Sequence, residues 1–272
     1  MPVLDADQPL VLSSYCLGTT VNFADRVRIA AGAGFAGIGL RAENYWDAQR
    51  AGLDDASMLE ILGTHGVRLR EVEYLTDWCG ARDADQQAKE QTIFQMARTF
   101  GVPHVNAGLI GPQPLDAVVD GFAALCERAR PLTVALEFLP FGGVPDLATL
   151  WKVVEAAGAA NGGLLVDFWH WRRSGSTLDD LAPIPAERIV SVQIDDVIEH
   201  PMDPLRPEAL HWRLPPGRGY GNVIELVRAL RDKRVRPYVV SVEAMNDDLI
   251  ASGLDVTART LMTASRELLA QP

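Results

Sequence analysis

Eight short apolar runs, each strand-like, alternate with helix-like segments along the whole chain. The runs are PLVLSSYCLG, FAGIGLRAE, RLREVEYL, HVNAGLI, TVALEFLP, GLLVDFWHW, IVSVQIDDV and YVVSVEAM. Between them lie segments such as FADRVRIAAGAG, DASMLEILGTHG, DLATLWKVVEAAG and NVIELVRALRDK, with apolar spacing near 3.6 residues. Asp54 is a helix-start signal, and Gly66 and Gly158 are stop signals. Strands that alternate with helices pair in parallel through βαβ crossovers.

Eight such units in 272 residues predict one α/β domain over residues 1–272, a closed (β/α)8 TIM barrel, a fold of typically ~250 residues. The competing doubly wound sheet carries a Gly-rich phosphate turn after its first strand. Here that strand runs into LGTTVNFAD, which is no such turn. The Pro- and Gly-rich stretch from Glu199 to Gly221 reads as an elaborated functional loop after the seventh strand.

The net charge of −11 argues against a nucleic-acid partner, which needs a basic face. The odd set Cys16, Cys79 and Cys126 points to reduced thiols and a cytoplasmic setting rather than a disulfide frame. No signal peptide is expected. No apolar run approaches the ~20 residues of a membrane span, so no membrane partner is expected. A homo-oligomer stays open.

The last four strands share an anomaly. Each ends on an isolated polar residue: Glu137, Asp167, Gln193 and Glu243. Acidic residues are almost never fully buried unless paired, and an unpaired buried carboxylate tends to neutralise. In a (β/α)8 barrel the C-terminal strand ends form the active site, so these four neighbours would face one point. One divalent cation would satisfy them all. Three carboxylates and an amide are an oxygen-only set, which suits Mn2+ or Mg2+ ahead of Co2+ or Zn2+. The alternative is a private salt bridge for each acid.

The chain resembles the xylose isomerase-like TIM barrel family of sugar isomerases, epimerases and dehydratases over nearly its whole length. The resemblance implies a metal quartet at Glu137, Asp167, Gln193 and Glu243. It extends to His170, three residues after Asp167, to Asp196, three after Gln193, and to the turn of Pro216, Gly217 and Gly219. The commoner seventh-strand ligand is His. Gln193 is more similar to hydroxypyruvate isomerases and some 3-dehydroshikimate dehydratases than to ketose 3-epimerases. With 5 His in all, the chain departs from the His-rich zinc site of the endonuclease branch.

Proton removal beside a carbonyl needs a base on the correct face. Glu137 and Glu243 are the candidate catalytic acid and base, one removing a proton and the other returning it. His170 either polarises a substrate oxygen or sits behind the ligands as a buried hydrogen-bonded residue. Asp196 is expected to support a ligand or a substrate hydroxyl, with Asp195 as its alternative. Glu71 and Glu73 share one strand face by period-two alternation, and Glu73 lies nearer the mouth as a substrate-binding candidate. Arg41 is expected to pair with these acids.

Five of the six Trp residues follow or end strands: Trp46, Trp78, Trp169, Trp171 and Trp212. Trp169 is the candidate wall for a small polyhydroxy or keto substrate. His211 and Arg218 are the substrate-binding candidates of the long loop, with a surface role as the alternative for each. Arg172 and Arg173 are expected on the same face. His65 and His104 have no assigned role.

These residues predict a divalent-metal-dependent isomerase or epimerase of a small hydroxyketone or sugar, working through an enediolate. The alternatives are a dehydratase of the 3-dehydroshikimate or inosose type, and a non-catalytic metabolite-binding barrel.

Overall fold

A computed structural model describes residues 4–272. The eight predicted runs each contain a strand: β1 Leu10–Leu12, β2 Gly37–Arg41, β3 Arg68–Glu73, β4 His104–Ala107, β5 Thr133–Glu137, β6 Gly162–Asp167, β7 Ile189–Ile194 and β8 Val239–Val242. They form one eight-stranded sheet in the order β3-β2-β1-β8-β7-β6-β5-β4. Every named strand pair is parallel. The two end strands meet through a single parallel bridge, Leu75 to Ala107. The barrel is thus closed near its C-terminal rim and unpaired lower down between β3 and β4.

The helices begin and end where local chemistry predicts. Asp54 accepts from the Ser57 backbone N–H at 2.8 Å, and Asp146 does the same for Thr149 at 2.7 Å. Each satisfies one of the free donors of a helix start. Gly158 ends helix Leu147–Ala157 in a left-handed conformation, φ 61°. The core is a continuous apolar shell of strand and helix residues, from Leu10 and Ile38 through Phe122 and Val166 to Leu261.

The interior of the sheet differs from that shell. Glu71, Glu73, Asn106, Ser191, Gln193 and Ser241 are all at most 1% exposed. They put a polar layer where aliphatic side chains normally fill such a barrel. Among the described residues, no helix is long and apolar enough to cross a membrane.

Candidate active site at the barrel mouth

The mouth is built by strand ends. Asp167 is the last residue of β6 and also the N-cap of helix Phe168–Ser174. Its Oδ1 accepts from the His170 backbone N–H at 2.7 Å, and its Oδ2 accepts from Arg213 Nη1 at 2.8 Å. The Asp-x-x-His spacing follows from this. The cap fixes the third helical residue beside the cap carboxylate, and that residue is His170.

One ligand atom each of Glu137, Asp167 and His170 lies within 4.8 Å of the others. Glu137 Oε1 stands 3.5 Å from His170 Nε2. Its Oε2 accepts from the Tyr74 hydroxyl. Gly108 allows this approach, because a Cβ there would collide with the Tyr74 hydroxyl. Glu243, from the end of β8, accepts from Ser13 Oγ at 3.2 Å and from Arg213 Nη1 at 3.3 Å.

Arg213 is the residue that the sequence did not single out. The residue is buried, 2% exposed. Besides Asp167 and Glu243, it donates to Asp195 Oδ2 at 2.6 Å and to His170 Nε2 at 3.2 Å. Guanidinium nitrogens only donate, so His170 Nε2 accepts and its proton sits on Nδ1. Burial, then the Arg213 charge, pushes the His170 pKa well down, so the ring is neutral.

The loop positions Arg213 through a buried anchor. Glu208 on helix Leu205–His211 accepts from Trp169 Nε1 at 3.0 Å, Arg173 Nε at 2.6 Å and the Met202 backbone N–H at 2.8 Å. Backbone bridges Asp196–Leu214 and Trp212–Asn246 then pin both sides of Arg213.

Gln193 lies one layer inward. Its Nε2 donates to Glu73 Oε1 at 3.0 Å and Glu71 Oε1 at 3.3 Å. Gln193 Oε1 is buried without a partner, as is Glu137 Oε1. Glu71 also accepts from Ser241 Oγ at 2.7 Å and Asn106 Nδ2 at 3.1 Å. Arg41 lies 3.5 Å from Glu73 Oε2 and 3.9 Å from Glu243 Oε1, with its guanidinium 4.0 Å over the Tyr15 ring.

Six buried carboxylates, Glu71, Glu73, Glu137, Asp167, Asp195 and Glu243, face two guanidiniums, Arg41 and Arg213. Burial, reinforced by neighbouring carboxylates, raises Glu71, Glu137 and Asp195 well above the usual range. Burial outweighs the cationic neighbours to place Glu73 at about 7 and Asp167 at about 6. The excess of carboxyl groups over guanidiniums, and the oxygens of Glu71, Glu73, Glu137, Gln193 and Asp195 left without a hydrogen bond, fit a divalent cation. Glu137, Asp167 and His170 are the group drawn together, with Glu243 beside them and the Gln193 oxygen available.

None of the five predicted substrate-binding residues lines the mouth cavity; Glu73 is buried against Gln193 and Arg41 beneath it. That cavity, about 220 Å3, is lined by Arg41, Tyr74, Glu137, His170, Arg213 and Glu243 among others. Asp196 instead binds its own loop, accepting from the Gly219 and Gly221 N–H groups at 2.9 and 2.8 Å. A Cβ on Gly221 would sit 2.6 Å from Asp196 Oδ1, which explains the glycine there. Asp195, the alternative, is the residue that meets Arg213. His211 is half-exposed and contacts Asp247, and Arg218 is half-exposed and pairs with Glu267. Trp169 is fully buried behind His170, ring centroids 5.1 Å apart. Trp46, Trp169 and Trp171 lie in short helices that follow strands rather than in the strand ends themselves.

Comparison with known proteins agrees with this architecture. An inosose isomerase of Halalkalibacterium halodurans is 25% identical over 190 residues, 66% of this chain and 66% of that protein. The match therefore spans just under two thirds of that relative's length. The solved structure of the IolI protein with a binding zinc atom superposes with a TM-score of 0.86 at 20% identity, covering 96% of this chain and 98% of that one. A probable 3-DHS dehydratase, AsbF from Bacillus anthracis, gives 0.73 at 17% identity, covering 93% and 97%. At those identities the two structures speak to the fold alone. The family described as xylose isomerase-like TIM barrel matches residues 27–269, and the chain belongs to that family.

Proposed function

We propose that the protein is a divalent-metal-dependent isomerase or epimerase of a small polyhydroxy ketone. The observation that carries this is the placement of Glu137, the last residue of β5, and Glu243, the residue after β8, lining one cavity with Arg213 and His170. The cation would be held by Glu137, Asp167, Gln193 and Glu243, and His170 Nε2 would join them only by giving up its bond to Arg213. Bound there, it would polarise the substrate carbonyl as a Lewis acid. The oxygen-rich set favours Mn2+ or Mg2+, and the imidazole admits Co2+ or Zn2+.

The chain's own groups supply the rest. Glu137 lines the cavity and its Oε1 makes no hydrogen bond within the protein, which leaves it open to take a proton from carbon. Tyr74 holds the other oxygen and fixes the rotamer. Glu243 presents the second carboxylate for proton return. Arg213 keeps a fixed positive charge beside the oxygen that becomes anionic in an enediolate. Neutral His170 can hold a substrate oxygen in place. The relative named for inosose chemistry supports a cyclic polyhydroxy ketone.

The test is incubation of the metal-loaded protein in D2O with inososes, ketoses, hydroxypyruvate and 3-dehydroshikimate. Deuterium at the carbon beside the carbonyl, with no mass lost, is expected for at least one substrate. Loss of one water would establish the dehydratase reading instead. No exchange with any metal and any substrate in the panel would defeat both.

A further inference from the structure

The barrel has a second hollow at its opposite end. β3 and β4 are the ends of the strand order. They are joined at the C-terminal rim, where Leu75 N–H donates to Asn106 O at 3.0 Å and Gly108 N–H donates to Leu75 O at 2.9 Å. At the N-terminal end of this seam the strands part around a cavity of about 680 Å3. Its walls include Leu59, Leu62, Phe100 and Val102, and its polar lining includes Arg68, Arg70 and Tyr238. Leu59 is 46% exposed, a large apolar side chain on the open side.

The charge of this hollow is opposite to that of the molecule. The chain carries −11, yet no Asp or Glu lines the cavity. Among the described residues, neither Arg68 nor Arg70 makes an ion pair or a side-chain hydrogen bond. The Arg70 stem crosses Gly37, where a Cβ would meet Cδ at 2.8 Å and Cγ at 2.9 Å. Arg70 Nε is consequently buried with no partner. Tyr238 also lines an adjoining hollow of about 400 Å3 with Arg234, Arg236 and one carboxylate, Glu187. Those two arginines likewise lack ion pairs among the described residues.

A partly desolvated guanidinium without a counter-charge favours a carboxylate or phosphate, which it binds with paired N–H bonds. A cavity of this size, with apolar walls and a few converging polar groups, has the dimensions of a small-molecule site. We propose that the hollow is a second ligand site, for an organic anion. The apolar body would lie between Leu59, Leu62 and Phe100, with the carboxylate or phosphate on Arg68 and Arg70. This site is independent of the reaction assigned to the mouth.

Calorimetric titration of the full chain tests it, with benzoate, phenyl phosphate, benzyl alcohol and inorganic phosphate as probes. Benzoate or phenyl phosphate should bind with Kd on the order of 1 mM. The better of the two identifies the preferred head group. Benzyl alcohol and inorganic phosphate should each bind at least ~10-fold more weakly, lacking either the charge or the apolar body. The Arg68→Gln/Arg70→Met double variant keeps the stem over Gly37 and should weaken the organic anions by at least ~10-fold. If that variant does not fold by circular dichroism, Arg68→Glu alone, at an exposed position, should give the same loss. Unchanged binding in a folded variant would place the anion elsewhere, such as on Arg41 or Arg213 at the mouth, and overturn the proposal. So would inorganic phosphate binding as tightly as benzoate, or no heat from either organic anion up to about 20 mM.

Discussion

At the mouth, six buried carboxylates crowd two guanidiniums; Glu73, Asp167, Asp195 and Glu243 meet a guanidinium directly, and Glu71 and Glu137 join through Gln193 and His170. At the base, Arg68 and Arg70 meet no carboxylate, and His104 is fully buried with neither ring nitrogen hydrogen-bonded. His104 merely stacks on Tyr238, centroids 5.7 Å apart. Both ends bury ionisable groups, but only the mouth couples them. In a coupled network, removing one member strands the others. At the base, each group can be changed with little effect on its neighbours. The contrast marks the mouth as the site under chemical constraint.

The sharpest way to break the comparison is at the two glutamates. Glu137→Gln and Glu243→Gln should each lower turnover by about 100-fold or more if a general base is lost. Metal content, measured in parallel, separates lost proton transfer from lost metal. Near-normal turnover in a fully loaded variant would remove that residue from proton transfer.

Next is Arg213→Met. Breaking a buried ion pair by removing one partner typically costs about 3–5 kcal/mol. Denaturant unfolding of the metal-free protein should show a loss of that order, and added metal should recover part of it by supplying positive charge. A change below about 1 kcal/mol without metal would mean that the carboxylates are already protonated.

The two ends should also give opposite pH limbs. Burial lowers His104 from 6.5 to about 4. Its neutral form stabilises the fold above the unfolded value, and that stability is lost as pH falls from 6.5 towards 4. At about 1.4 kcal/mol per pH unit this amounts to about 3 kcal/mol. His104→Phe should flatten this acid limb. At the mouth Glu73 is raised to about 7 and Asp167 to about 6. The folded state keeps protons that the unfolded chain releases, so their contribution to metal-free stability should fall as pH rises from 4.5 and 3.8 to about 7 and 6, opposing the His104 slope over much of that range. Melting temperatures from pH 4 to 9, with and without EDTA, check both limbs. A basic limb that persists at saturating metal would show that the cation does not bind among these carboxylates.

The smallest expected effect is at Gly108. Gly108→Ala forces the Tyr74 hydroxyl away from Glu137, an overpacking of about 1–3 kcal/mol. Turnover should drop with little change in the His104 limb. If turnover is unchanged, Tyr74 does not hold Glu137 in its working rotamer.

Much of this site was legible in the chain. Periodicity located all eight strands, and the strand-end acids Glu137, Asp167 and Glu243 marked the mouth, whereas Gln193 lies one layer inward on Glu71 and Glu73. The Asp-x-x-His spacing carried His170 to the same place. What failed was the loop. His211, Arg213 and Arg218 lie close together in HWRLPPGRG, and which one turns inward depends on Glu208 meeting Trp169 and Arg173, more than thirty residues away in sequence. The usable signal was the excess of strand-end acids, which requires one loop arginine to fold in. Asp195 and Asp196 failed similarly. Neighbours on a strand point to opposite sides, and only the paired Gly219 and Gly221 N–H groups reveal that Asp196 takes the loop.

The amide of Gln193 carries a consequence for how this chain can evolve. Its nitrogen is held by Glu71 and Glu73 on a strand across the barrel, so the residue allowed at 193 depends on those at 71 and 73. Gln193→Glu would set a third carboxylate against two and should be tolerated only alongside a Gln at 71 or 73. Gln193→His offers a ring in place of an NH2 group with two donors, and leaves one of the two glutamates without its bond. Exchange between the Gln and His forms of this family would then proceed by paired steps, with position 73 or 71 changing first. Epistasis between these three sites, measured as non-additive stability in a triple-variant set, is the genetic signature of that geometry.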